Sequence, residues 1–473
     1  MQHGTLEEIK TPSDQGHSRL DPFRDLGIAL TNWTIRYVPD TWVIAVILNV
    51  IVFAMALTWG KVTMMGAMAA WGKGFWALLT LMAEFSFAIM VAYACASAPV
   101  MARLFNYLSS LPNPEKPWQA VLAMAIFSLF LSWCNWAVSV TMSAMFAPYL
   151  AKNNPKADWR MLVTGAYTGM ATLWASGLSS TAPLVVATPD NFLIKAGVLK
   201  EIITVDRTIL APYNFAMIAV GFLVVCMMMV ILSPRAEKAS CLTKEEAENL
   251  ISVAHVPPPE NPTFAQKLNW WPGWNILCGV ACIAWMIIAF IQSGVAAWNI
   301  DMYNLCFLIV ALFLTWRPVF LFDAFKKGIS GTWGILAQFP LYGAIFGLVV
   351  FTNLGRFLTD VFASIATPNT YLPLIYWYSG LLSYFVPSAG AKWSMEAPYI
   401  LPAAQAFGIS AASVTLAYTW GDMLTHLLQP FWAIAILDIT KTRFGQIAGF
   451  AALLFFVYSI AMTIMIFLMP LHL

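Results

Sequence analysis

LSYFVPSAGAKW at 382–393 and WGDMLTHLLQPFW at 420–432 are two apolar runs broken from within. The first holds Pro387, Gly390 and Lys392; the second holds Asp422, His426 and Gln429. At the depth of a bilayer, a backbone breaker or an ionisable side chain is tolerated only where protein or a water-filled cavity receives it, so such positions usually line a pathway through the membrane.

The composition agrees with that setting. Of 473 residues, 60% are hydrophobic and 10% are charged, against about 25% charged in an ordinary soluble protein. The fold class expected is an all-α polytopic membrane protein. Spans of about 20 apolar residues predict nine crossings near 41–60, 75–98, 158–190 (broken), 209–232, 274–293, 302–321, 333–351, 410–437 (broken) and 445–470. Two further apolar pairs, 118–151 and 371–408, break at Cys134-Asn135-Trp136 and at Pro387-Ser388-Ala389-Gly390. Each reads as a re-entrant hairpin that enters and leaves on one side.

The chain divides into a cytoplasmic lead with an interfacial helix (1–40), a first half (41–232), a polar cytoplasmic linker (233–273) and a second half (274–473). The lead contains Glu7, Glu8, Asp14, Asp21 and Asp25 and no apolar signal core, so it is expected to stay on the mature protein. The halves repeat. Lys73-Gly74 and Ala83-Glu84-Phe85 return as Lys327-Gly328 and Ala337-Gln338-Phe339; Ala147-Pro148-Tyr149 returns as Ala397-Pro398-Tyr399, and Ala166-Tyr167-Thr168 as Ala417-Tyr418-Thr419. With re-entrant hairpins, an odd number of crossings separates the halves, which makes the repeats inverted. Inverted repeats with interrupted helices are the sequence pointer to a secondary transporter.

Lysine and arginine orient the chain. Eighteen of the 25 fall on the side of the N-terminus and six on the other, with Lys392 inside a hairpin. The positive-inside rule then places the N-terminus in the cytoplasm and the C-terminus outside. Neither a zinc site nor a disulfide framework is expected, because the seven cysteines form no CxxC and six of them lie in apolar runs. No basic tract suggests nucleic acid as a partner. Trp33, Trp42, Trp59 and Trp71 lie near span ends and read as interfacial anchors.

WGKGFW (71–76), Asn135-Trp136, ATPDN (187–191), QFPLY (338–342), VPSAGAKW (386–393), LPAAQAFG (401–408) and GDMLTHLLQPFW (421–432) together resemble the bacterial short-chain fatty acid transporters, within the ion-transporter superfamily of inverted-repeat carriers. The resemblance implies uptake of a monocarboxylate such as butyrate or acetoacetate at the cell inner (plasma) membrane, by an elevator-type motion within a homodimer in the lipid bilayer. It implies no cofactor beyond Na+ or H+ as the coupling ion. The family usually reads PSGGGHW at 387–393 and Asn at 426, so this chain's Ala389, Ala391, Lys392 and His426 leave substrate and coupling ion open.

The candidate site follows from the breaks. The substrate-binding candidates are Asn135, Ser179, Ser180, Thr181, Ser388, Gly390, Lys392, Thr425 and Gln429. Half-helix N-termini suit a carboxylate, and hydroxyls and amides can hydrogen-bond it. Asn135, Ser176, Asp422 and His426 are the ion-coupling candidates: Asp422 offers oxygen ligands or a proton site, and His426 titrates near neutrality. Asp422, Thr425 or His426, and Gln429 recur at helical spacing and predict one polar face. The alternative readings are a repacked kink, small residues that let helices approach, a hydrogen-bonded structural histidine, and a Lys392–Glu396 ion pair one helical turn apart. Glu84, whose counterpart is the neutral Gln338, reads as a structural hydrogen-bonding group. An intramembrane enzyme using His426 and Asp422 is a competing class, but the chain has no HExxH, GxSxG or paired-Asp motif to support it. A carrier of dicarboxylates would call for two clustered cations where only Lys392 is at hand.

Overall fold

In hydrocarbon every backbone N–H and C=O must find a partner within the protein, which leaves helices as the way for so apolar a sequence to cross. In the computed structural model, which describes Tyr37 and residues 41–98, 100–234, 239–251, 259–329, 332–385, 388–429 and 431–473, every regular element is a helix. Apart from Tyr37, the lead and interfacial helix expected over 1–40 lie outside the described residues, as do Trp33, Pro387 and parts of the linker.

The first half runs α1 (Thr41–Thr58), α2 (Met64–Phe75), α3 (Leu79–Ala96) and α4 (Val100–Ser109) into a hairpin of α5 (Pro117–Cys134) and α6 (Trp136–Asn153). An interrupted helix follows, made of α7 (Trp159–Thr172), a 3-10 turn at Trp174–Ser176 and α8 (Thr181–Ala187); α9 (Phe192–Lys195) and α10 (Pro212–Leu232) complete this half. The linker carries α11 (Lys244–Leu250) and α12 (Phe264–Trp270). Thr243 and Glu246 cap α11 reciprocally, and the hydrogen bonds from Thr243 hold the exposed Glu246 carboxyl below its ordinary pKa.

In the second half α13 (Gly273–Ser293), α14 (Ile300–Thr315), α15 (Pro318–Gly328), α16 (Trp333–Val350) and α17 (Leu354–Ile365) lead to a hairpin of α18 (Pro368–Phe385) and α19 (Ala389–Gln405). The second interrupted helix is α20 (Ala411–Asp422), 3-10 turns at His426–Leu428 and Phe431–Ala433, and α21 (Ile434–Thr440); α22 (Phe444–Phe467) ends the chain's helices. The order helix, amphipathic helix, hairpin, interrupted helix, helix thus occurs twice.

Both hairpins double back. Ser139 Oγ donates to the Ser128 carbonyl at 2.9 Å across the first, and Asn153 and Asn154 at its far end bond Ser109, which precedes it. Across the second, Tyr371 Oη donates to the Ile400 carbonyl at 2.6 Å and the hydroxyls of Tyr378 and Tyr399 meet at 2.7 Å. Pro117–Cys134 is long enough to cross a membrane, yet the chain turns back at Asn135.

Among the described residues six helices are long and apolar enough to cross, or seven if the pair Leu336–Val350 and Leu354–Ile365, bent by 77°, is one span. The expected crossings at 41–60 and 302–321 correspond to shorter apolar helices. The one expected to be broken at 410–437 is interrupted, because the chain unwinds after Asp422.

Two contacts are made with their partners exchanged. A Cβ on Gly74 would overlap the backbone of Gly343 and Gly347 in α16, and a Cβ on Gly328 would sit 3.0 Å from Met90 Cα in α3. Gly74 and Gly328 are repeat counterparts, and so are α3 and α16. Trp42 and Trp59 are exposed at helix ends as anchors would be. Trp71 departs from that expectation, because its Nε1 donates to Asn49 Oδ1 at 2.9 Å within the protein.

Candidate functional site

Asn135 is the single residue between the arms of the first hairpin. Its extended backbone ends α5, and its Oδ1 caps α6 by accepting from the N–H groups of Ala137 and Val138 at 2.9 and 3.0 Å. Its Nδ2 is buried and has no hydrogen-bond partner among the described residues. Beside it, Trp136 N donates to Ser179 Oγ at 3.1 Å, and Leu178 N donates to the Trp133 carbonyl at 2.7 Å, so the hairpin tip is sewn to the unwound segment of the first interrupted helix.

That segment breaks after Thr172, where Gly177 takes up an extended conformation and presses on the carbonyl of Trp133. Its serines satisfy the carbonyls that unwinding frees: Ser176 Oγ donates to Leu173 O at 2.7 Å, and Ser180 Oγ donates to Ala175 O. Asn214 Nδ2 reaches the Ser176 carbonyl at 2.9 Å.

In the second half, Ser388 caps α19 by accepting from Ala391 N at 3.4 Å. Gly390 lies where a Cβ would meet the Phe85 ring at 2.6 Å and the Thr181 methyl at 3.3 Å. This close approach places the second hairpin directly on the first interrupted helix. Lys392 is fully buried; its ammonium donates to Ser379 O at 2.7 Å and Ser379 Oγ at 2.9 Å and lies 2.8 Å from Asp422 Oδ1. The ion pair expected with Glu396 is looser, at 3.9 Å.

Beyond Asp422 the expected helical face is not formed, because α20 ends there and Leu424 N bonds back to the Gly421 carbonyl. The polar residues are nevertheless held together. Ser383 Oγ lies 3.4 Å from both Asp422 Oδ1 and His426 Nε2, Thr425 Oγ1 donates to the Gly380 carbonyl at 2.8 Å, and Gln429 Nε2 donates to the Ser383 carbonyl at 3.3 Å. Four of these side chains thus tie the second interrupted helix to the first arm of its hairpin.

The two interrupted helices meet. Tyr167 Oη donates to the His426 carbonyl at 2.7 Å, His426 Nδ1 lies 3.4 Å from the Met170 carbonyl, and the His426 ring stacks on Trp174 with centroids 6.4 Å apart. Ala175 N approaches Met423 Sδ at 3.3 Å, and Trp420 Nε1 donates to Asn214 Oδ1 at 3.0 Å, so Asn214 links Ser176 to the second helix. The structure therefore joins Asn135 with Ser179, Thr181 with Gly390, and Lys392 with Asp422 and, through Ser383, His426. Among the described residues no hydrogen bond runs from Lys392 to the Asn135–Ser179 set, and no group of three His, Cys, Asp or Glu side chains could hold a metal ion.

Sequence reasoning did not single out Tyr167, Trp174, Asn214, Ser379 or Ser383 as site residues. Ser379 and Ser383 lie four apart on α18, a helical spacing that gives both one face. The others come in only through tertiary contact. Glu84 meets the side chain of Asp301 on α14, and its carbonyl accepts from Asn304 Nδ2 at 3.1 Å.

A family model described as "Short chain fatty acid transporter" matches residues 23–469. A protein of Escherichia coli (strain K12) is 30% identical over 433 residues, covering 90% of this chain and 96% of its own length. One from Haemophilus influenzae (strain ATCC 51907 / DSM 11121 / KW20 / Rd) is 26% identical over 434 residues, covering 89% and 94%. Each is named "putative short-chain fatty acid transporter". Among solved structures, MtrF of Neisseria gonorrhoeae, described with a class of antimetabolite efflux pumps, superposes with a TM-score of 0.57 at 12% identity over 93% of this chain and 97% of its own. The YdaH transporter of Alcanivorax borkumensis does so with a TM-score of 0.53 at 14% identity, over 91% and 98%. At those identities the two structures bear on the fold alone.

Proposed function

Because the chain belongs to the short-chain fatty acid transporter family, we propose that this membrane protein is a secondary active carrier. It takes up small monocarboxylates of the butyrate and acetoacetate kind across the inner membrane, with H+ or Na+ as the coupling ion. Asn135 carries this reading. An amide that is buried with no partner costs about 1–3 kcal/mol, and here it lies at the N-terminal end of an 18-residue helix, where about half a positive charge favours an anion.

In this reading the substrate carboxylate meets Asn135 Nδ2 and the hydroxyls of Ser179 and Thr181, facing the Ser388–Gly390 end of the second hairpin, while Ser180 holds the unwound backbone through the Ala175 carbonyl. Lys392, Thr425 and Gln429 hold that hairpin and its field in place. The coupling ion is held in the second half, near where Asp422 and His426 meet through Ser383.

The carrier works by elevator-type motion in a homodimer. The hairpins, the interrupted helices, α10 and α22 travel as one body against a frame of α1–α3 and α13–α16. The exchanged Gly74 and Gly328 contacts support inverted repeats, since a two-fold relation makes each contact twice. The N-terminus lies in the cytoplasm and the C-terminus outside. Labelled butyrate uptake into proteoliposomes under an imposed pH or sodium gradient tests the reading, with acids from acetate to hexanoate as competitors. Absence of gradient-driven uptake of every short acid, above that of protein-free liposomes, refutes it.

A further inference from the structure

We propose that Glu396, and not the Lys392–Asp422 pair, carries the cotransported proton, so that the substrate anion and one proton cross together without net charge. This rests on the carrier reading above.

The geometry begins with Lys392. An ammonium has three N–H donors and no acceptor, and those of Lys392 are taken by Ser379 O, Ser379 Oγ and Asp422 Oδ1 at 2.7–2.9 Å. Nothing is left for Glu396, whose Oε1 stands 3.9 Å from Nζ. Glu396 is fully buried, and neither carboxyl oxygen has a hydrogen-bond partner among the described residues. The Ser379 hydroxyl faces it without closing a bond.

Charge is then counted over everything that faces Glu396. From α18 come Tyr378 and Ser379, from its own helix Lys392 and Tyr399, and from α20 Tyr418 and Asp422. α16 and α8 carry no charged residue, and Arg356 and Asp360 of α17 are exposed. His426 lies beyond Asp422 and does not face Glu396; its ring nitrogens meet the Met170 carbonyl and the Ser383 hydroxyl, each at 3.4 Å. One ammonium therefore faces two carboxyl groups. Lys392 and Asp422 neutralise each other, and an unpaired charge in such a place is prohibitively costly. One more positive charge is needed, and Glu396 is where it has room to bind.

The step balances. A proton from the outer solution adds to the Glu396 carboxylate, the carboxylic acid crosses with the substrate anion, and the proton and the anion leave on the cytoplasmic side. No bond of the substrate changes.

The test uses the full-length protein in proteoliposomes with labelled acetoacetate, whose low lipid permeability keeps the background small. Two rates are read above protein-free liposomes: exchange at equal pH on both sides, and net uptake driven by an alkaline interior. Wild type is expected to do both. Glu396→Gln, which keeps shape without a titrating group, is expected to keep exchange and lose gradient-driven uptake, and Glu396→Asp is expected to regain it with a shifted pH profile. Gradient-driven uptake by Glu396→Gln at the wild-type rate overturns the proposal. So does loss of exchange in both variants, which makes the position structural, or wild-type uptake driven by sodium alone. Absence of exchange in wild type refutes the carrier reading itself.

Discussion

Tyr167, on the first interrupted helix, donates its hydroxyl to the backbone carbonyl of His426, on the second, at 2.7 Å. That carbonyl also accepts from Gln429 N at 3.3 Å, in the 3-10 turn that follows the unwinding after Asp422. The bond therefore couples the break in one half to the break in the other. In lipid a freed carbonyl has no water to turn to, so each unwound segment is stabilised by the half it does not belong to.

Replacing Tyr167 by Phe removes that donor while keeping the ring. The expected cost is about 0.5–1.5 kcal/mol, the net worth of one hydrogen bond, because Gln429 N still serves that carbonyl. It is read as a lower unfolding midpoint in detergent, and a midpoint equal to wild type would contradict it.

Lys392 and Asp422 form a buried pair 2.8 Å apart. Removing one member strands a charge, which costs about 3–5 kcal/mol, whereas removing both is close to neutral. Lys392→Met and Asp422→Asn alone should each lower the unfolding midpoint sharply, and the double variant should recover most of the loss. Additive losses in the cycle would show that the pair is not coupled.

Asn135 has two roles that substitution separates. Asn135→Ala loses the cap of α6 and should cost about 1 kcal/mol, together with transport. Asn135→Asp keeps the capping oxygen but replaces the free amide with an oxygen that repels an anion, so the cap of α6 should hold while uptake is lost. Normal uptake by Asn135→Asp would remove Asn135 from the anion site.

Gly421 lies against the backbone of Tyr376, where a Cβ would sit 2.9 Å from Tyr376 Cα, while a Cβ on Gly72 of α2 would meet nothing within 4 Å. Gly421→Ala should destabilise by about 1–3 kcal/mol through overpacking, whereas Gly72→Ala should stabilise by about 0.8–1.0 kcal/mol through helix propensity. Thermal unfolding of both variants checks the pair, and a neutral Gly421→Ala would contradict the packing.

The breaks themselves are legible in the sequence, because Asn135 within 118–151 and Ser388-Ala389-Gly390 within 371–408 interrupt runs too apolar to lie outside a membrane. The repeat expected from the sequence pairs Gly74 with Gly328, each after a lysine, and both lie at close helix approaches in the fold. Partners are harder to read. Spacing points Lys392 to Glu396, four residues on, while Asp422 comes alongside only when α19 and α20 pack together. Spacing also extends a helical face through Gln429, but α20 ends at Asp422 and the chain continues in 3-10 turns. Distances set by tertiary folding leave no trace in periodicity.

The central claim is that the interlocked breaks hold one short monocarboxylate and carry it across the bilayer. Saturable counterflow of labelled acetoacetate in proteoliposomes tests this most directly, with wild type set beside Asn135→Asp and protein-free liposomes. The account predicts saturable counterflow by wild type, inhibited by butyrate and absent from the other two. Counterflow that wild type and Asn135→Asp share equally, or that neither exceeds protein-free liposomes in showing, would contradict it.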